Sequence, residues 1–215
     1  MRHMLSNERI RDNLAKAQIV ESIMASATLH IKKDFAGLIT FISRWRPSTH
    51  TGICRWGQMT ITLESVAVLL NLSIVGSFHY KLSTEENSTL DAIVQKEEEY
   101  NQHKKDEECF YTWWVSQWFP TKPRSGQALD DELSVVAFLS LWLSRDIFDD
   151  GSRKKTIIHD IVMFSIKLAK GMVLPLGSLF LGSLYSHLDA LAADMHASNG
   201  YKKVESHIHI AFLQA

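Results

Sequence analysis

The chain has 215 residues, 46% of them hydrophobic, which is enough to bury a continuous core. Its 23 basic and 24 acidic residues give a formal net charge of −1, so no global electrostatic attraction draws it to nucleic acid or to an anionic membrane. No apolar run approaches the ~20 residues that a membrane-spanning helix needs, and we expect no membrane association. Only two cysteines occur, far apart and without a CxxC pair, which favours a reducing, intracellular compartment.

The N-terminal part, residues 6–46, is predicted to be helical. Ser6 or Asn7 can cap a first helix in which apolar residues recur at helical spacing. Asp34 is the expected cap of a second helix, which Pro47 stops because the residue before a proline avoids helical angles. This second helix is expected to carry Trp45 to the segment that follows.

Residues 44–76 are predicted to form a hairpin followed by a helix. Residues 49–54 and 58–62 are β-branched or alternate in polarity, and the glycine of Arg55-Trp56-Gly57 between them suits a tight turn. We therefore expect one small β-hairpin near residues 49–62. Thr62 is the expected N-cap of the helix that follows.

The variable, charged segment 77–128 separates this part from the rest of the chain. Residues 77–90 are polar and predict a surface loop, while residues 90–119 predict one helix or two. The charge run within 96–108 mixes both signs, which favours a solvated helix face.

Residues 130–215 are predicted to form a C-terminal helical core. Its first helix is apolar nearly all round and is expected at the centre, a second ends at a left-handed Gly171, and a last one begins near Val204 and is expected to be cut off. The sequence thus predicts a single all-α globular domain over residues 1–215, with about eight helices and one hairpin.

Some residues could suggest catalysis or metal binding, namely His207 with His209, His159-Asp160, Asp130-Asp131-Glu132, Cys54 and Cys109. None has the spacing that such chemistry requires: two histidines two residues apart point to different sides of a helix, and three neighbouring acids fit helix capping better than metal binding. The glycine-rich nucleotide signatures are absent from the sequence. We expect no enzyme, no cofactor and no metal site.

Arginines and tryptophans around the hairpin form a candidate interaction surface: Arg44, Trp45, Arg46, His50, Arg55 and Trp56. Cationic and aromatic groups together suit contact with phosphates or stacked bases. The alternative is that both tryptophans pack while the arginines cap carbonyls or pair with acids. With a net charge near zero, packing is favoured over nucleic-acid binding.

Two stretches of this region, Arg44–Thr51 and Trp56–Leu70, resemble the plant mobile domain, also called the aminotransferase-like plant mobile domain. Members of that family commonly read W-R-P-E-T-H-T-F and then G-E-M-T-[IV]-T-L-E-D-V-A-x-L-L-G-L-P-[IV]-x-G. Blocks at 137–145, 166–171 and 179–188 are similar as well, so the resemblance covers about residues 30–215. The positions expected to be its structural signature are Pro47, Thr49, Gly57, Thr60, Thr62, Gly76, Trp142, Gly171 and Tyr185.

The resemblance implies a nuclear, non-catalytic protein-interaction domain. Such domains occur in plant mobile elements and in host proteins related to MAINTENANCE OF MERISTEMS, which are implicated in transposable-element silencing, genome integrity and meristem maintenance. A phosphatase of the protein phosphatase 7 type is the implied partner, and direct nucleic-acid binding is the alternative. The oligomeric state and the origin of this copy, host or transposon, stay open.

This sequence departs from the family pattern at several positions. Ser48 and Gln58 stand where glutamate is common, Asn71 replaces glycine and Ser73 replaces proline. An acid at position 48, if functional in relatives, is therefore missing here. The "aminotransferase-like" label finds no lysine in a pyridoxal-phosphate context.

Overall fold

The computed structural model describes residues 8–28, 34–77, 81–103, 111–119, 131–148, 157, 159–198 and 210–213. Ten α-helices lie in these ranges: α1 (Glu8–Lys16), α2 (Val20–Thr28), α3 (Phe35–Ile42), α4 (Leu63–Leu70), α5 (Thr84–His103), α6 (Tyr111–Trp118), α7 (Asp131–Trp142), α8 (His159–Ala169), α9 (Leu176–Ser198) and α10 (Ile210–Leu213). One antiparallel sheet comprises β1 (Trp45–Arg46), β2 (Thr51–Cys54) and β3 (Gly57–Met59). The prediction of a mostly helical fold with a small sheet is confirmed.

The chain divides into two compact units. The first consists of Met1–Val20, Gly76–Ile147 and Arg153–Leu174, and the second of Glu21–Val75, Phe148–Ser152 and Pro175–Ala215. Each unit therefore draws on distant parts of the sequence. The division into N-terminal, signature, charged and C-terminal segments of one domain stays a prediction.

The first unit is built around α7. Its residues from Ser134 to Trp142 are buried apart from Phe138, which is only partly exposed, and α7 packs against α8 and α6. The indole nitrogen of Trp114 on α6 donates a 2.8 Å hydrogen bond to the carbonyl of Ala137. Five residues of π-helix, Leu143–Ile147, continue α7. The prediction of a central helix that is apolar nearly all round is thus matched.

The expectation of a surface loop over residues 77–90 is wrong for its second half, because α5 begins at Thr84. The Ser83 amide donates to the Glu86 carboxylate at 2.7 Å, and the Glu86 amide donates to the Ser83 hydroxyl at 3.2 Å. This reciprocal pair is a capping box, which starts a helix in an otherwise polar stretch.

The Glu86 carboxylate also forms a 2.7 Å ion pair with Lys167 of α8, and both side chains are less than 10% exposed. Lys167 donates a further hydrogen bond to the Lys81 carbonyl at 3.1 Å. Burial by itself raises the pKa of the Glu86 carboxyl group. The hydrogen bonds from Lys167 and the Ser83 amide, with the charges of Lys167 and Lys170, outweigh burial and hold that pKa below its ordinary value.

The charge run on α5 is only partly a solvated face. Glu97 is 7% exposed, and the Lys96 ammonium lies 4.0 Å from the centre of the Trp118 ring. A cation over an indole face is attracted by the ring quadrupole, so Lys96 covers this tryptophan.

The second unit holds the sheet, with α2, α3, α4, α9 and α10. Two helix boundaries in the N-terminal part of the chain differ from the predicted ones. The first predicted helix is two helices, α1 and α2, separated at Gln18, whose φ is 58°. The second, α3, ends at Ile42 and not at residue 46, so that Trp45 and Arg46 are free to pair as a strand with Gly52 and Thr51.

The helix after the hairpin begins and ends as predicted. The Thr62 hydroxyl accepts a hydrogen bond from the Ser65 amide at 3.2 Å, and the Ser65 hydroxyl accepts one from the Thr62 amide at 3.4 Å. At the other end Asn71 is left-handed, with φ 51°, and its carbonyl accepts a 2.5 Å hydrogen bond from Ser22 of α2. These two caps define both ends of α4, the helix that follows the sheet in the sequence.

Candidate functional site

The short sheet is anchored to α9 through one carboxylate, that of Asp189. Its Oδ1 accepts a 2.7 Å hydrogen bond from the indole nitrogen of Trp45 in β1. Its Oδ2 lies 3.0 Å from Nε2 of His50, and because a carboxylate can only accept, that ring nitrogen carries the proton. Both oxygens of Asp189 are thus committed to the signature segment.

Tyr185, one helical turn before Asp189, completes this cluster. Its ring stacks on the His50 ring with centroids 4.7 Å apart and planes 18° from parallel, and lies 5.7 Å from the Trp45 ring. The Tyr185 hydroxyl donates to the Ile61 carbonyl and lies 3.0 Å from the Thr60 hydroxyl. The polar atoms of Tyr185 and Asp189 are therefore engaged in holding the strands to the helix.

The turn between β1 and β2 places His50 for these contacts. His50 has φ 49°, in the left-handed region that most side chains avoid, and its carbonyl accepts a hydrogen bond from Thr60. The preceding Thr49 donates its amide to the Arg46 carbonyl and its hydroxyl lies 2.7 Å from that of Thr51. The His50 and Asp189 side chains stay 44% and 31% exposed.

The two faces of the sheet differ because side chains alternate along each strand. Trp45 pairs with Gly52, which pairs with Met59, so these three share one face; Phe41 of α3 covers Gly52 there and lies 5.7 Å from Trp45. Arg44 and Arg46, on either side of Trp45, point to the opposite, outer face. Both are exposed.

The tip of the hairpin is the two-residue turn Arg55-Trp56, between the paired residues Cys54 and Gly57. Gly57 has φ 142°, which a glycine adopts at no steric cost. Trp56 is 85% exposed, the highest value among the large apolar side chains described. Arg55 is exposed beside it.

The expectation that both tryptophans pack holds for Trp45, which is 2% exposed, and fails for Trp56. The expectation that the arginines pair with acids also fails within the described ranges, where Arg44, Arg46 and Arg55 form no ion pair or side-chain hydrogen bond. We call Arg44, Arg46, Arg55 and Trp56 the hairpin surface. Trp45 and His50 fasten the sheet that carries this surface to α9 through Asp189.

The structure brings four signature or surface residues into one cluster, namely Trp45, His50, Thr60 and Tyr185. Pro47 and Thr49 lie in the adjoining turn, whereas Trp142 and Gly171 belong to the first unit. There Trp142 is buried in α7, and Gly171, with φ 84°, ends α8 as the predicted left-handed cap. Gly76, with φ 154°, follows α4 in the sequence and also belongs to the first unit.

Asp189 is the site residue that the sequence predictions missed. One signal was present: it follows Tyr185 by four residues, a spacing that puts both side chains on one helix face. The ion pair of Glu86 with Lys167 was missed as well.

The candidates for catalysis do not assemble in the described ranges. No group of three or more His, Cys, Asp or Glu side chains able to hold a metal ion occurs among those residues. His207, His209, Cys109 and Asp130 lie outside them. None of the helices, as far as their residues are described, combines the length and apolarity needed to cross a membrane.

The fold is mostly helical, and the cluster around Asp189 holds its three-stranded sheet against α9. The sequence profile of the family described as "Plant mobile domain" matches residues 18–215. The chain therefore belongs to the plant mobile domain family.

A curated relative is the "Serine/threonine-protein phosphatase 7 long form homolog" of Arabidopsis thaliana, which is 41% identical over 46 residues. The match covers 21% of this chain and 3% of that protein. No solved structure matches the chain significantly.

Proposed function

We propose that the chain is a non-catalytic, nuclear protein-interaction domain and that the hairpin surface is its binding site. The observation that carries this proposal is Trp56, a tryptophan that is 85% exposed at the tip of a hairpin and flanked by an exposed arginine. Burying a tryptophan removes roughly 150–250 Å² from water, so a partner that covers Trp56 gains binding free energy from that burial.

The residue types of the hairpin surface support a protein partner. Tryptophan and arginine are the residues most enriched among interface positions that dominate binding energy. Arg44, Arg46 and Arg55 stay available because no acid within the described ranges neutralises them. A partner that supplies acids would pair them.

The proposal of a non-catalytic role rests on how the chemically capable side chains are used. Both oxygens of Asp189 accept hydrogen bonds from Trp45 and His50, and the Tyr185 hydroxyl donates to a backbone carbonyl. These groups hold structure together, which leaves binding as the function that the exposed residues support.

Family membership supports a proposal about the biological setting. We propose roles in transposable-element silencing, genome integrity and meristem maintenance, and a phosphatase of the protein phosphatase 7 type as partner. The short match to a protein whose name includes that phosphatase supports the partner, although it covers only 3% of its length.

Affinity purification from plant nuclei tests the proposal. The wild-type chain is compared with a variant carrying Arg44→Gln, Arg46→Gln, Arg55→Gln and Trp56→Ala. A control variant with Arg9→Gln, Arg11→Gln and Lys16→Gln removes the same positive charge from α1. We expect a phosphatase or chromatin protein to co-purify with the wild type and the control and not with the four-site variant. Equal recovery with all three would refute the binding site.

The alternative function is direct nucleic-acid binding through the same arginines and Trp56. Guanidinium groups that have no acidic partner in the described part of the chain, beside an exposed indole, favour it, since they suit phosphates and a stacked base. Retention on single- and double-stranded DNA at two salt concentrations tests it, because phosphate contacts weaken steeply as salt rises. Absence of retention at low salt would remove this alternative.

A further inference from the structure

The open edge of the sheet lies along β3. All three residues of β3 are exposed, and among the described residues its strand neighbour is β2 alone. An edge strand presents unpaired backbone groups to which another extended chain can add. The exposed side chains of the hairpin surface therefore lie beside a strand edge to which the backbone of a partner can bind.

The hydrogen-bond pattern shows which backbone groups are free at this edge. The Ile53 amide donates to the Arg44 carbonyl at 3.0 Å, so the backbone groups of Ile53 face β1. Ile53 is opposite Gln58 in the β2–β3 pair, and residues opposite each other alternate between bonded and non-bonded pairs. The N–H and C=O of Gln58 consequently point away from β2, toward the open side.

The charged residues of the hairpin surface are all arginines. Arg55 lies at the hairpin tip next to β3, whereas Arg46 in β1 and Arg44 just before β1 lie about 10 Å from β3 at the usual strand spacing. A fourth strand beside β3 would lie about 15 Å from β1. That distance exceeds the Debye length of about 8 Å at physiological salt, so Arg55 is the arginine of the hairpin surface that acts on such a strand. The hairpin surface attracts acids and repels bases, although the whole chain is close to neutral.

We infer that the hairpin surface binds an extended, acidic segment of a partner protein, which adds alongside β3 as a fourth strand. This inference rests on the proposed function. Backbone hydrogen bonds to Gln58 orient the segment, an apolar side chain covers Trp56, and acidic side chains meet Arg55.

A peptide fits these features better than a nucleic acid does. The outward-pointing N–H and C=O of Gln58 match the alternating donors and acceptors of a peptide backbone, whereas phosphates only accept. Single strands are bound on successive aromatic side chains, and the described sheet exposes one, Trp56.

The experiment is a selection of random 12-residue peptides, displayed on phage, against the immobilised whole chain. We expect the enriched peptides to combine several Asp or Glu residues with one aromatic or aliphatic residue. Their Kd should rise at least tenfold on Trp56→Ala or Arg55→Gln and stay unchanged in the α1 control variant. Thermal melting of each variant verifies that it is folded.

Backbone methylation tests the strand geometry. In a selected peptide, N-methylation at one set of alternate positions should abolish binding, while methylation at the intervening positions should leave it within about threefold. Equal tolerance at both sets would overturn strand addition.

Two further outcomes would overturn the inference. Enriched peptides without acids, or binding that survives Trp56→Ala and Arg55→Gln together, would exclude the acidic partner. Tighter binding of a 20-nucleotide oligothymidine than of any selected peptide, lost in the same variants, would assign the surface to nucleic acid. If nuclear proteins nevertheless co-purify with the wild-type chain and not with the four-site variant, the proposed function stands and only the inferred partner chemistry fails.

Discussion

Trp45 donates its indole N–H to Asp189, 144 residues further along the chain, at 2.7 Å. This bond fastens β1 to α9, and the same carboxylate fastens the turn that follows through His50. The sheet that displays the hairpin surface is therefore positioned by a residue remote from the signature in sequence.

Removing this carboxylate should destabilise the second unit. We expect Asp189→Ala to lower the free energy of unfolding by about 2 kcal/mol, because it leaves the buried indole N–H without an acceptor. Asp189→Asn keeps one acceptor oxygen and should cost less. Urea unfolding measures both, and Asp194→Ala, at an exposed position on the same helix, is the control. Equal stability of Asp189→Ala and the control would show that the bond contributes nothing.

The two tryptophans of the signature should behave oppositely. Trp45→Ala removes a fully buried ring and should cost about 4 kcal/mol. Trp56→Ala should change stability by less than about 0.5 kcal/mol, since its ring is exposed. Thermal and urea unfolding of both variants measure this difference. A large loss of stability in Trp56→Ala would mean that this ring packs in solution and is not displayed for a partner.

A side chain at Gly52 is predicted to destabilise the packing of α3 on the sheet. A Cβ at this position would lie 3.0 Å from Cε2 of Phe41, so Gly52→Ala should cost about 1–3 kcal/mol through overpacking. Gly182 of α9 has open space around it, and Gly182→Ala should stabilise the chain by about 0.5–1 kcal/mol. Unfolding midpoints that rank these two variants in the reverse order would contradict the packing of Phe41 on the sheet.

The buried pair Glu86–Lys167 makes stability depend on pH. The pKa of Glu86 is lower in the folded chain than its ordinary value of 4.5, so its contribution is present above that value and is lost as pH falls through the folded pKa. Glu86→Gln leaves Lys167 buried and unpaired, which should cost about 3 kcal/mol at pH 7.

Urea unfolding at pH 7 and at successively lower pH measures this effect. The stability of Glu86→Gln should fall less than that of the wild type below pH 4.5. The matched control is Glu85→Gln: Glu85 pairs with Lys170 at 3.1 Å but is 77% exposed, and its loss should cost less than about 0.5 kcal/mol. Parallel pH profiles for wild type and Glu86→Gln would refute the role of the pair.

The sequence predicts those features whose cause is local. Thr62 caps α4 through a residue three positions away, and Gly171 ends α8 because that position needs a positive φ. The hairpin turn is also predicted from local sequence, because a glycine follows Arg55-Trp56 between two runs of strand formers. The family signature located the cluster through Trp45, His50 and Tyr185.

Features with a distant cause were not predictable from spacing. The strand β1, which the predicted two-stranded hairpin lacks, exists because Trp45 and Arg46 pair with residues across a turn. This pairing overrides the helical pattern that precedes them. Asp189 and the pair Glu86–Lys167 act across 139 to 144 and 81 residues, respectively. The capping box at Ser83 was a local signal, but it lay in a polar stretch whose composition indicated a loop.

The central claim is that the tip of the hairpin contacts a protein. Photo-crosslinking tests it most directly: p-benzoylphenylalanine is introduced at position 56, and at position 182 of α9 as an exposed control, and each chain is irradiated in a plant nuclear extract. We predict discrete protein adducts at position 56 only, with mass spectrometry locating the crosslink in an acidic segment. Adducts that nuclease digestion removes, or the same adducts at both positions, would contradict the claim.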